Sequence, residues 1–243
     1  GGDVGQYTAL TIGGDGLGLI AYYDNTNRNL RVAHCSNFEC SQASFNTLDS
    51  NGDVGSHVGA TTGKDGLVLI SYFDNTNKDL KMAHCSNQVC SNATIEPVLT
   101  GGGDGMYTSM TTDAVGRGLV SHHNFVTGTV AYATCSGSSI SCESVTDRQL
   151  DGSEGNVGWN TSITLDGAGY PIISYYDVTN GDLKAWVRSQ VVSLDSSGDV
   201  GWYSSATIGS DGLPLIAYYD STKSDLKVIH CENEFCSSFF RRR

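Results

Sequence analysis

Short apolar runs separated by polar and glycine-rich breaks recur along the whole chain. The run Leu17-Gly-Leu-Ile-Ala-Tyr-Tyr-Asp24 returns as Leu67–Asp74, Gly118–Asn124, Tyr170–Asp177 and Leu213–Asp220. Measured at their last residues, the copies lie 50, 50, 53 and 43 residues apart. Each follows a Gly-Asp-Val-Gly-like segment, at 2–5, 52–55, 103–105, 155–158 and 198–201. An Asp-Leu-Lys triplet follows at 79–81, 182–184 and 225–227. Repeats of this period belong to solenoids, propellers or arrays.

The fifth unit shows how the pattern parses. Trp202–Ile208, Leu213–Tyr219, Leu226–Cys231 and Cys236–Arg241 read as strands, joined by turns at Gly209–Gly212 and Asp220–Ser224. Asp-Gly turns between β-branched and aromatic runs are hairpin signals. No unit holds a helix-length stretch with a 3.6-residue period. The second strand, as in Leu69–Phe73, is apolar on both faces, which suits a strand packed between two neighbouring sheets. Four antiparallel strands per unit, repeated five times, predict an all-β fold, a five-bladed β-propeller in one domain. The blades are expected at about 1–51, 52–102, 103–152, 153–197 and 198–243. In such a blade the 4→1 and 2→3 connections share one face. The 1→2 and 3→4 connections share the other. Every blade can be built from one continuous unit, so the ring is expected to close by packing blade one on blade five, with Phe239 and Phe240 covering the seam.

Composition narrows the partners. Of 243 residues, 26 are Asp or Glu and 14 are Lys or Arg, a net charge of −12. An acidic surface repels nucleic acid and anionic lipid, so neither is expected as a partner. No segment reaches the roughly 18 apolar residues of a membrane helix, so no membrane insertion is expected. Arg241–Arg243 reads as a solvated tail.

The eight cysteines fall in four local pairs, Cys35/Cys40, Cys85/Cys90, Cys135/Cys142 and Cys231/Cys236, each on a 3→4 hairpin. One disulfide per hairpin is expected, and with it an oxidising, extracellular or cell-surface location. The rival reading is a metal site using His34, His84 or His230 beside the cysteines. It falls short because a structural zinc site wants four ligands and Thr134 replaces the histidine in unit three.

The run Gly209-Ser-Asp-Gly-Leu-Pro-Leu-Ile-Ala-Tyr-Tyr-Asp220 with Asp225-Leu-Lys-Val-Ile-His-Cys231 resembles a tandem repeat of exported bacterial proteins of uncharacterised role. The resemblance covers nearly the whole chain and implies a propeller and export, but no activity. In architecture, five near-identical blades are similar to the five-bladed lectins of the tachylectin type.

Two sets of residues are candidates for a ligand site. Asp24, Asp74, Asp177 and Asp220 end the second strand beside Tyr23, Phe73, Tyr176 and Tyr219. Asp3, Asp53, Asp104 and Asp199 recur in the 4→1 connection, so both carboxylate rings are expected on one acidic face. They read either as Asx-turn residues or as acceptors for calcium or sugar hydroxyls. The second set is aromatic and opens the first strand: Tyr7, His57, Tyr107, Trp159 and Trp202, with Tyr203, near the mouth of the central channel. Rings stacking on sugar C–H groups beside carboxylates suit a carbohydrate. Unit three departs from the pattern, with His122-His123-Asn124 in place of Tyr-Tyr-Asp.

Glycoside hydrolysis needs two carboxylates in different environments. The repeats duplicate theirs, and Glu96 and Glu154 stand alone. The chain is therefore expected not to be an enzyme, and to need no cofactor unless calcium. The leading expectation is a secreted, multivalent binding or adhesion module for a glycan. The alternatives are a building block that contacts another extracellular protein, and a glycoside hydrolase.

Overall fold

The computed structural model describes residues 2–136, 142, 144–152 and 155–237. The apolar runs form strands because β-branched and aromatic side chains fill a pleated surface that is covered on both sides. Blade one is β1 (Val4–Ile12), β2 (Gly18–Asp24), β3 (Asn29–Cys35) and β4 (Ala43–Asp49). Blade two is β5 (Val54–Thr62), β6 (Val68–Asp74), β7 (Asp79–Cys85) and β8 (Ala93–Leu99). Blade three is β9 (Met106–Thr112), β10 (Gly118–Asn124), β11 (Thr129–Ser136) and β12 (Ser144–Asp151). Blade four is β13 (Val157–Leu165), β14 (Pro171–Asp177), β15 (Asp182–Val187) and β16 (Gln190–Asp195). Blade five is β17 (Val200–Ile208), β18 (Pro214–Asp220) and β19 (Asp225–His230).

Each sheet runs in chain order and is antiparallel throughout, as expected of an up-and-down propeller blade. The predicted fourth strand of blade five, and with it Phe239, Phe240 and Arg241–Arg243, lies outside the described residues, as does Glu154. The strands of blade five begin up to two residues earlier or later than predicted. The main cause is that the Gly-Asp-Val-Gly segment joins the first strand through bulges, as between Val200, Trp202 and Ser205.

The core is not central. Apolar side chains gather in layers between neighbouring blades. Leu30 and Val32 of blade one meet Val54 and Ile70 of blade two. Leu80 and Met82 meet Val120, Val130 meets Val157 and Ile173, and Leu183 and Ala185 meet Val200 and Ile216. Four layers join five blades, so the expected fifth layer is not formed among the described residues. Blade one and blade five do not pack as the other neighbours do. Leu226 is 77% exposed, whereas its counterparts Leu30, Leu80, Val130 and Leu183 are 0% exposed. Among the described residues the expected packing of blade one on blade five is not formed and the seam is open; the part expected of Phe239 and Phe240 lies outside them.

All four disulfides join the expected pairs, Cys35–Cys40, Cys85–Cys90, Cys135–Cys142 and Cys231–Cys236. The neighbouring histidines turn to aspartates of the 1→2 turn instead of to a metal. His34 Nε2 lies 2.9 Å from Asp15, His84 Nε2 3.0 Å from Asp65 and His230 Nε2 2.9 Å from Asp211. No helix of the described residues is long and apolar enough to cross a membrane. Disulfides and this absence are both compatible with an extracellular protein.

Candidate functional site

The strand-end aspartates come first, because the structure gives each a local task. Asp24, Asp74, Asp177 and Asp220 are buried. Asp74 accepts hydrogen bonds from the backbone N–H of Thr76 and Asn77, at 2.9 Å each, and from the Asn77 amide. Asp24 and Asp177 bind their own turns in the same way. A cation from the third strand then meets the carboxylate: Arg31 at Asp24, Lys81 at Asp74, Lys184 at Asp177 and Lys227 at Asp220. Hydrogen bonds from Asn27 hold Asp24 below the usual carboxylate range. For Asp74 and Asp177 burial acts upward, but the Asn and Lys hydrogen bonds outweigh it and the net shift is also downward.

The rings beside these aspartates fill the inter-blade layers. Tyr23 and Tyr176 are buried and donate to the 4→1 aspartate of the next blade, at 2.8 Å to Asp53 and 2.6 Å to Asp199. Burial first, and then Asp53, pushes the Tyr23 hydroxyl up to about 12. Phe73 is buried as well, and only Tyr219, at the open end, exposes its ring. The space beside Asp24, Asp74 and Asp177 is thus occupied by the protein itself.

The channel is different. Tyr7, His57, Tyr107, Asn160 and Tyr203 all have positive φ, between 51° and 54°. Bulky residues rarely adopt this left-handed region, and each costs on the order of 1 kcal/mol there. All five occupy the bulge of a first strand, two residues after the glycine of the Gly-x-Val-Gly segment or its counterpart Gly105. The bulge turns each side chain out of the sheet and towards the axis. The next residue secures the position. Thr108 donates to the His57 carbonyl at 2.6 Å, Thr161 to that of Tyr107 at 2.7 Å, and Ser204 to that of Asn160 at 3.0 Å.

These residues surround one axial cavity of about 580 Å³, together with Trp202. That volume suits a small organic ligand. Ring contacts run in an unbroken series along its wall from blade one to blade five. Tyr7 and His57 lie 4.4 Å apart, His57 and Tyr107 4.5 Å, Tyr107 and Trp159 5.3 Å, and Trp159 and Trp202 6.0 Å. Trp202 is fixed from behind by Asp199, which accepts its indole N–H at 2.9 Å. Of the aromatic candidates, Tyr7, His57, Tyr107, Trp202 and Tyr203 line the cavity, while Trp159 supports the belt and Asn160 lines it instead. The glycine anchor is the signal that locates Asn160; matching by aromatic identity selects Trp159.

Burial holds the His57 imidazole down at about 4, with His123 adding to the effect. Burial likewise lowers His123 to about 4, against the pull of its hydrogen bond to the Val157 carbonyl. Both rings are neutral at pH 7, so the cavity wall carries no histidine charge. The unfolded rings titrate near 6.5 and therefore take up protons first on acidification. Stability is full above about pH 6.5 and is lost as pH falls towards 4, by up to about 3 kcal/mol per ring. The aspartates lowered by their hydrogen bonds add their own loss only below their ordinary value of 3.8. Thermal melts from pH 7 to 4 should show this decline, and His57→Gln should flatten part of it. A melting temperature unchanged between pH 6.5 and 4.5 contradicts the assignment.

Among the described residues one group could hold a metal ion. The ligand atoms of Asp104, His122 and Asp147 lie within 4.8 Å of one another. His122 is fully buried, with Nε2 3.1 Å from Asp147 and Nδ1 3.5 Å from Asp104. The group belongs to the divergent third blade, where Ala131 stands in place of the third-strand cation and Asn124 in place of the strand-end aspartate.

No family model matches the chain, and no curated protein matches it. Solved structures do. A protein of unknown function from Dyadobacter fermentans is 12% identical over 91% of this chain and 74% of its own, with a TM-score of 0.66. A Hadza microbial sialidase is 8% identical over 94% of this chain and 56% of its own, with a TM-score of 0.64. An exo-beta-1,3-galactanase from Phanerochaete chrysosporium is 9% identical over 94% of this chain and 60% of its own, with a TM-score of 0.58. The chain thus spans less than two thirds of the sialidase and of the galactanase. Likeness at such identities establishes the β-propeller fold. It also corrects one expectation. The chain was expected not to be an enzyme because its units repeat, yet the same fold serves a sialidase and a galactanase. Repetition of the blades is therefore no ground for excluding catalysis.

Proposed function

We propose that the chain is a secreted, glycan-binding β-propeller, one domain of the five units set out above, that takes its ligand in the axial cavity. The observation that carries this reading is the ring of five non-glycine residues held at positive φ around one cavity. Strained backbone gathered in one place is typical of a functional site. A belt of aromatic faces with hydroxyl and amide groups between them suits a sugar, whose C–H faces stack while its hydroxyls hydrogen-bond. The occurrence of the fold in a sialidase and a galactanase supports a glycan as the ligand class. The near-equivalent positions converge on one cavity, so they act as subsites for a single ligand. Calcium belongs to this proposal only through Asp104 and Asp147, whose carboxylates flank His122. The likeness to exported tandem-repeat proteins and the disulfides support a location outside the cell.

Trp202 makes the reading testable by fluorescence. A panel of neutral and sialylated oligosaccharides, titrated with and without calcium, should include one that shifts the tryptophan emission. Trp202→Phe should reduce the shift, because Trp202 lines the cavity, whereas Trp159 stands behind the lining and Trp186 is buried in an inter-blade layer. A panel without any shift contradicts the proposal.

A second reading, a building block of an extracellular assembly, is favoured by the open seam.

A further inference from the structure

The four formed inter-blade layers share two contacts, a glycine approach and a backbone hydrogen bond, and most of them add carboxylate contacts. A glycine with positive φ in each following blade lies so close to the third strand that an added Cβ would meet its backbone or Cβ. The nearest approaches are 2.6 Å for Gly55 on Leu30, 2.9 Å for Gly105 on Leu80, 2.6 Å for Gly158 on Val130 and 2.8 Å for Gly201 on Leu183. A backbone N–H of the following blade donates to the turn before that strand, as from Val54 to Arg28, Val157 to Gly128 and Val200 to Gly181. A carboxylate of the following blade receives the second-strand tyrosine, as Asp53 does from Tyr23 and Asp199 from Tyr176. In return, a carboxylate at the end of the preceding blade's fourth strand receives the other tyrosine and the third-strand lysine. Asp49 takes Tyr72 and Lys81, and Asp195 takes Tyr218 and Lys227.

The two faces at the seam carry their halves of this set without the other half. On blade five, Leu226 and Val228 are exposed, and no described carboxylate receives the Tyr219 hydroxyl. On blade one, nothing lies within 4 Å of where a Cβ of Gly5 would be. Leu10 and Ile12 are exposed there, and Arg31 reaches Asp24 alone while its buried Nε has no partner. The glycine approach and the backbone hydrogen bond thus recur at four interfaces, the carboxylate contacts recur at some of them, and among the described residues none of these contacts is made at the fifth.

We propose that the seam is a docking site for one further unit of the same repeat. Its first strand would seat a Gly-Asp-x-Gly segment on Leu226 and Tyr219. A carboxylate ending its fourth strand would receive Tyr22 and Arg31. A single unit of this repeat carries both features, so it meets both faces at once, in continuity with the four interfaces already formed. The proposal is independent of what the axial cavity binds.

The test is hydrogen–deuterium exchange on two proteins. One is the 243-residue chain. The other is the same chain extended by a copy of residues 48–99 carrying Leu99→Asp, which continues the register because Arg243 follows Cys236 at the distance of Thr47 from Cys40. Peptides covering 4–12 and 219–230 should exchange at least tenfold more slowly in the extended protein. A control extension with Gly55→Val and Asp53→Ala in the copy should lose that protection. Three outcomes overturn the proposal. The extension leaves exchange unchanged; the unextended monomer already protects both segments, showing that blades one and five meet; or protection rises with protein concentration, showing a second copy.

Discussion

Lys81→Ala should destabilise the protein by about 3–5 kcal/mol, the loss expected when one partner of a buried ion pair is removed. For a chain of this size that lowers the melting temperature by about 10 °C or more. Lys81 Nζ lies 3.1 Å from Asp49 and 3.1 Å from Asp74, and all three side chains are largely buried. Tyr72 donates to the same Asp49 at 2.7 Å. Burial works against the charge on Lys81, yet hydrogen bonds to Asp49 and Asp74 outweigh it and raise the ammonium above its ordinary value. Without the ammonium, two carboxylates stay buried against the Tyr72 ring. Asp74 then loses the Lys81 hydrogen bond that helps to hold it below its ordinary value while burial still acts upward, so its protonated form is easier to reach and the deficit should be smaller at pH 4 than at pH 7. Arg31→Ala is the internal comparison. Arg31 pairs with Asp24 alone and is more exposed, so its loss should be smaller. Chemical denaturation of both variants decides; a Lys81→Ala loss below that of Arg31→Ala defeats the reading.

Gly55→Ala should cost about 3 kcal/mol or more. Gly55 has φ of 100°, where a side chain is strained by about 1–3 kcal/mol. The added Cβ would also meet the Leu30 Cα at 2.6 Å, and backbone on both sides must shift. Gly5→Ala carries only the conformational part, because φ is 93° and the surroundings are open. The difference between the two variants measures the close approach of neighbouring blades. Equal losses would mean that the seam is as tightly packed as the blade one–blade two layer.

Much of this fold is legible in the sequence because its determinants are local. Hairpins follow from Asp-Gly turns, the repeats from runs such as Leu-x-Leu-Ile-Ala-Tyr-Tyr-Asp, and the disulfides from cysteine pairs a few residues apart. The turn role of Asp74 is local too, since its acceptors are met by Thr76 and Asn77. The candidate site is only half legible. Aromatic identity marks Tyr7, His57, Tyr107 and Trp202, but the bulge, counted from the glycine anchor, selects Asn160 over Trp159. The open seam is not legible at all. It depends on the rotation accumulated over four interfaces, and no single residue pair encodes that sum.

The central claim is that the axial ring binds a glycan. Calorimetric titration of the best oligosaccharide from the panel into the native chain and into Tyr107→Ala tests it most directly. The account predicts one site per chain, and affinity at least tenfold weaker in the variant, about 1.4 kcal/mol. Several equal sites per chain, or binding that Tyr107→Ala leaves unchanged, would contradict it.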